Sequence, residues 1–195
     1  MDTFTLLKFT HFVGFMLIFA GTLAIFISEW HTFTTQDVGT FAEAARYTLV
    51  FRNTMIAPGS IVIIITGIWL VLHLDLGFFE TPWLVGMWGL FLFEFIEANL
   101  IARPHNRRTL RCAREALESG TLTPEVRAAA HDALGIFMHF FDVPITLVML
   151  YCGVARPETW TEILIAVAIA VLVAVLMSLT IPGLHQRTAA GTQTP

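Results

Sequence analysis

Five apolar stretches, each close to the length needed to cross a bilayer, constrain this chain more than any other feature. A transmembrane helix takes about 20 predominantly apolar residues, and hydrocarbon tolerates only segments that satisfy their own backbone N–H and C=O groups. The stretches run from Phe4 to Ile27, Pro58 to Leu74, Trp83 to Ile101, Leu134 to Gly153 and Ile163 to Leu179. Pro58 suits the first turn of a helix. Pro82 and Pro104 bracket the third stretch, Pro144 should kink the fourth, and Pro182-Gly183 should end the fifth. The fold class is therefore an all-α integral membrane bundle, a four-span core plus a fifth transmembrane helix. One domain is expected over residues 1–185, followed by a polar tail at 186–195. Trp30, Trp83 and Trp160 fall at span ends, as interfacial anchors do.

The segments between the spans are legible as well. Val38, Phe41, Ala45 and Leu49 recur at helical spacing, so Val38 to Phe51 reads as an interfacial helix or an extension of span two. Residues 103–130 are basic and polar, with a Ser119-Gly120 break, which predicts a solvent-exposed helical hairpin. Only 13% of residues are charged, against roughly 25% in soluble domains, so no soluble domain is expected. The formal charge of −4 argues against a nucleic-acid partner. No cleavable signal peptide is expected, because the first apolar stretch lacks a basic leader and a small-residue cleavage site.

Arginine and lysine set the orientation. The face reached after span one carries Arg46, Arg52, Arg103, Arg107, Arg108, Arg111, Arg114, Arg127 and Arg187, and the other face carries Lys8 and Arg156, which accounts for all 11 basic residues. The positive-inside rule then places the N-terminus outside and the C-terminus inside. In a bacterium the location is the inner membrane, as a multi-pass protein. Cys112 and Cys152 fall on opposite faces, so no disulfide joins them. Ala166, Ala170 and Ala174 form a small-residue ridge on span five, suited to packing within the chain or to a homodimer contact.

Ionisable residues inside spans are costly and mark functional sites by default. Glu94 and Glu97 share one helix face, as do His139 and Asp142. Spans three and four are antiparallel neighbours in this reading. At 1.5 Å per residue, Glu94, Glu97 and His139 fall about 4–8 Å to the inner side of the midplane and Asp142 near it. Three carboxylates and an imidazole suit a divalent metal, a proton or ion relay, or a buried ion-pair network around Arg52. Neither a His-Glu-x-x-His nor a Glu-x-x-His metal signature is present. His11 and His73 both fall about 7–11 Å to the outer side. Two imidazoles at one depth suit the two faces of a haem iron, with Lys8 and Arg156 placed to meet its propionates. His105 and His131 border the basic inner loop and read as solvated, and His185 sits at the polar tail, which reads as disordered.

Lys8-x-x-His11 at the start of span one, followed by an apolar run, resembles a group of small bacterial membrane proteins. That group includes the copper-resistance D type, the bacterial membrane protoporphyrinogen oxidase and a large family of predicted integral membrane proteins of unknown function. The last is the nearest in pattern. APGSIVIIITGIWLVL, TPWL, a third span ending in Arg-Pro, the basic LRCAREALESG and a proline-bearing fourth span continue the likeness over roughly residues 4 to 155. The resemblance implies a helical bundle with His11 pointing inward, and in the oxidase branch that histidine is associated with haem b. Met87 stands nearest the position where the oxidase branch carries a lysine.

Three functions remain open at this point. The first is a bundle that holds haem b or a divalent metal for electron transfer or oxidation of a lipophilic substrate, such as a quinol or porphyrinogen. Its cofactor residues would be His11, His73 and Lys8, and its metal ligands Glu94, Glu97, His139 and Asp142. The second is a transporter of protons or divalent metal that uses the buried acids. The third is an accessory or assembly subunit. Serine hydrolysis and thiol redox chemistry lack any motif.

Overall fold

Three aspartates start helices in this chain by capping. Oxygens of Asp2, Asp37 and Asp132 accept from the backbone N–H of Thr5, Thr40 and Gly135 at 2.6, 2.7 and 2.7 Å. These bonds hold the exposed Asp2 and Asp37 carboxyls below their ordinary range. The computed structural model describes residues 2–130 and 132–191, with backbone only at residue 129 and over 182–191. The expectations for His131 and for the His185 side chain lie outside the described residues.

The helices are α1 (Thr3–Thr34), α2 (Val38–Phe51), α3 (Ala57–His73), α4 (Pro82–Glu97), α5 (Arg103–Ser119), α6 (Pro124–Ala130), α7 (Ala133–Ala155) and α8 (Trp160–Gly191). Five segments are long and apolar enough to span a membrane: Thr3–Thr34, Val38–His73, Pro82–Ser119, Ala133–Ala155 and Trp160–Ile181. All five expected spans are present, and two are much longer than expected. α2 runs into α3, and α4 into α5, through π-helical turns at Arg52–Ile56 and Ala98–Ala102. Val38–Phe51 is thus an extension of span two. The basic hairpin begins as a continuation of span three, with Gly120 in the left-handed region ending α5.

Pro58 and Pro104 therefore do not bound their helices, and the π-turns explain why. In an unbroken α-helix each proline ring would clash with the carbonyl four residues back. In each π-turn the backbone N–H of Ala57 or Arg103 reaches back five residues, to the carbonyl of Arg52 or Ala98. The proline follows directly. The wider turn absorbs the clash, and side chains serve nearby carbonyls. Thr54 Oγ1 donates to Val50 O and Asn99 Nδ2 to Phe95 O, both at 2.8 Å. α8 likewise runs past Pro182-Gly183 to Gly191 rather than stopping there, since one interior proline removes a single i→i−4 bond.

Two cores result. α7 packs on α8 through Phe140, Phe141, Ile145, Val148 and Cys152 against Ile163, Ala170 and Ala174. The small-residue ridge of span five is thereby used within the chain, while Leu164, Ile169, Leu172 and Leu176 stay exposed on the lipid side. At one end of the bundle, α2, α5 and α6 enclose a second core around Phe41, Ala45, Ala113, Ala116 and Val126. Cys112 and the buried Cys152 are both free.

Glycines let α1 approach α3 and the π-turn before it closely. A Cβ on Gly59 would lie 2.9 Å from the carbonyl oxygen of Gly14, and one on Gly21 would lie 2.8 Å from Ile56 Cγ1. Small residues permit this backbone approach between membrane helices. Gly59→Val is expected to cost about 1–3 kcal/mol, the range for overpacking a tight contact. A lowered thermal unfolding midpoint of the purified protein in detergent checks this.

Candidate functional site

The apolar lengths of α1, α3, α4 and α7 bring their few polar side chains to a common interior. The end of the bundle that carries α2, α5 and α6 is the basic end here. Between that end and the middle of the spans, Glu94, Glu97, Asp142 and Arg52 line one cavity of about 270 Å³, together with apolar residues such as Ile18 and Ile25. Glu97 and Arg52 are 3% and 6% exposed. Asp142 shows more surface because it faces the cavity. The charges of Glu94, Glu97, Glu29 and Arg52 all act on Asp142.

Hydrogen bonding leaves this cavity unusually open. Glu94 Oε1, Glu97 Oε1, Asp142 Oδ1 and Arg52 Nε are buried with no protein partner. Arg52 donates from Nη1 to Ala98 O at 3.4 Å, so it ties the first π-turn to the second. Among the described residues it makes no ion pair with the acids within 4.0 Å. A network closed by Arg52 was one expectation for these residues, and the arginine instead spends its bond on a carbonyl. Each buried polar group without a partner costs about 1–3 kcal/mol, more when charged. Such costs persist where function requires them.

His139 sits one step nearer the basic end. Its Nδ1 lies 3.1 Å from Glu29 Oε2. Its ring stacks on Phe26 at 4.2 Å and meets the edge of Phe33 at 4.9 Å. Its side chain is fully buried and its Nε2 has no protein partner. A second cavity, of about 360 Å³, is lined by His139, Glu29, Glu97, Asp142 and Asn106 and reaches exposed Arg108 and Leu134 at the basic end. Glu97 and Asp142 border both cavities. The expected quartet thus divides into three acids around one cavity and an imidazole in the next. His105, expected to be solvated, is partly buried and pairs with Asp132 at 2.7 Å.

Glu29 is the partner that the sequence did not supply. Ending span one at Ile27 leaves Glu29 at its end, closer to the water than the other acids. α1 continues to Thr34, so Glu29 stays on a packed helix one turn from Phe26. Asn106, buried with an unpartnered Nδ2, had no signal beyond its place in a basic stretch.

At the opposite end, His11 Nδ1 lies 2.8 Å from Thr66 Oγ1. Thr66 Oγ1 itself donates to Val62 O at 2.5 Å. The hydroxyl proton is therefore committed, His11 donates from Nδ1, and its Nε2 keeps a free lone pair. His11 borders a cavity of about 70 Å³ with Met87, Trp88 and Phe91, and another of about 290 Å³ with Lys8 and Arg156. His73 is not brought to either. It is exposed at the end of α3, stacked on Phe4 at 5.3 Å. The imidazole pair proposed for a haem iron does not form, because the two histidines point from α1 and α3 to different surroundings. A bis-histidine haem does not fit these residues. Among the described residues no three His, Cys, Asp or Glu side chains are grouped to hold a divalent metal.

The Glu29–His139 contact predicts coupling. In a double-mutant cycle of Glu29→Gln and His139→Gln, the unfolding free energies should depart from additivity by about 0.5–3 kcal/mol. Thermal or denaturant unfolding of the four proteins checks this.

Comparison with known proteins adds the family and no activity. No curated protein and no solved structure matches the chain. A family model described as "Predicted integral membrane protein (DUF2269)" matches residues 5–157, which takes in α1 to α7 and the whole candidate site. With that match covering most of its length, the chain belongs to the DUF2269 family of predicted integral membrane proteins.

Proposed function

We propose that this chain is a membrane protein that takes up and moves protons through the acid cavity of Glu94, Glu97 and Asp142. The reading rests on one observation: three carboxylate oxygens on two helices are buried, without protein partners, around a single cavity inside the spanning region. Three acids facing one arginine let the cavity gain and lose protons, since like charges in low dielectric favour a shared protonation state. In this reading the arginine-rich end faces the cytoplasm of a bacterial cell and the bundle lies in its inner membrane.

The side chains supply a route from the basic end. Glu29 exchanges protons with water and with His139 Nδ1. An imidazole that gains a proton on one nitrogen and loses one from the other acts as a shuttle. His139, whose buried Nε2 has no protein partner, lines the cavity bordered by Glu97 and Asp142. Those two residues lead to Glu94 in the next cavity. Beyond it, Ile18, Phe91 and Met149 border both the acid cavity and the small cavity of His11. This apolar collar separates the acids from the opposite end, which a coupled transporter requires. The single bond of Arg52 across the two π-turns makes those turns the natural place for a helix shift that opens it.

Proteoliposomes with an internal pH dye and a potassium diffusion potential test the reading. Protein-dependent proton entry is expected, reduced at least tenfold in Glu94→Gln and in Asp142→Asn and unchanged in Glu80→Gln, an exposed acid in the α3–α4 turn. Flux equal to that of empty liposomes, or flux indifferent to the two cavity substitutions, would refute it.

A further inference from the structure

The end opposite the acids holds a cavity that the proton route does not use. It measures about 290 Å³ and lies between α1, α3, α4 and α7. Its walls are apolar, with Phe15, Leu70, Leu84 and Leu150 among them, and His11 also borders it. Its rim includes the exposed side chains of Phe12, Leu74 and Val154, which places an opening on the lipid side. Two cations stand at that rim, Lys8 and Arg156. Among the described side chains they are the only lysine and arginine that line this cavity.

Both cations are positioned, and neither is neutralised by contact. Lys8 Nζ lies 4.4 Å from the centroid of the Phe4 ring and the Arg156 guanidinium carbon 5.1 Å from that of Trp83, so each rests on an aromatic ring that also lines the cavity. Arg156 is held by its backbone too. It adopts φ 51°, left-handed, and its N–H closes α7 on Cys152 O at 3.2 Å. Among the described residues neither cation has a carboxylate within 4.0 Å. Asp2 acts on Lys8 only at longer range.

An apolar slot that opens to lipid, with two uncompensated cations at its rim, is complementary to one class of molecule. We propose that this cavity binds an acyl-chain amphiphile with an anionic head, the chain lying between α1, α3, α4 and α7 and the carboxylate or phosphate held by Lys8 and Arg156. Arginine can grip such a head with two parallel N–H bonds, while lysine meets it as a point charge. The site contains none of the buried acids and meets the proton route only at the collar residue Met149, which also lines it.

Binding of radiolabelled oleate to the purified protein in neutral detergent tests this, with oleyl alcohol, phosphatidylglycerol and phosphatidylcholine run in parallel. Saturable binding of oleate near one per chain is expected. It should weaken at least tenfold in Lys8→Gln and in Arg156→Gln and persist in Lys8→Arg, which guards against a folding failure. Gly153→Leu should abolish it, because Gly153 lines the cavity and a Cβ there meets nothing closer than Met87 Sδ at 3.7 Å. Phosphatidylglycerol binding with the same dependence on Lys8 and Arg156 would support the site and assign its anion to a lipid phosphate. Oleyl alcohol or phosphatidylcholine binding as tightly, no binding by any of the four, or oleate binding unaffected by all three disruptive substitutions would overturn the proposal.

Discussion

The arrangement of this bundle depends on what it takes to keep Arg52, Glu94, Glu97 and Asp142 inside it. An ionisable group in the spanning region is expensive, and a buried polar group without a partner costs about 1–3 kcal/mol, more when charged. These four sit around one cavity with an unpartnered atom each. The arginine cannot simply be exchanged for an apolar residue, because its Nη1 satisfies the Ala98 carbonyl in the second π-turn. Its charge and its backbone role are thus joined in a single side chain.

The two π-turns are the local devices that create this geometry. Each begins six residues before a proline, at Arg52 before Pro58 and at Ala98 before Pro104. Each also carries an asparagine at its second residue, Asn53 and Asn99. The turns run in opposite senses, one entering the spanning region and the other leaving it. Across these turns Arg52 bonds to the Ala98 carbonyl, and Arg52, Glu94 and Glu97 line one cavity. π-bulges recur at functional sites. The glycine contacts of α1 on α3 then fix the wall on the other side.

Much of this was legible in the chain. The five spans follow from apolar length, and the hairpin break from Ser119-Gly120. Glu94, Glu97 and Asp142 were recognisable as a group because the cost of burying acids is independent of detailed geometry. Helix ends were harder to read. Pro58, Pro104 and Pro182 read as boundaries because the sequence does not show whether a π-turn or the loss of one hydrogen bond will accommodate the ring. Cutting α1 at Ile27 left Glu29 at the end of the span, closer to the water, and hid the partner of His139. His11 and His73 agree in depth, but depth carries no information about rotation around a helix axis. The structure turns His73 outward onto Phe4.

The most direct test of the shared acid cavity is infrared difference spectroscopy of the reconstituted protein across a pH step. The account predicts carboxylic-acid stretching bands that change with pH, shift in heavy water because solvent protons reach the cavity, and are altered together in Glu94→Gln and Asp142→Asn, since each acid feels the other. Bands that do not respond to pH or to heavy water, or bands that each substitution removes without disturbing the rest, would contradict it.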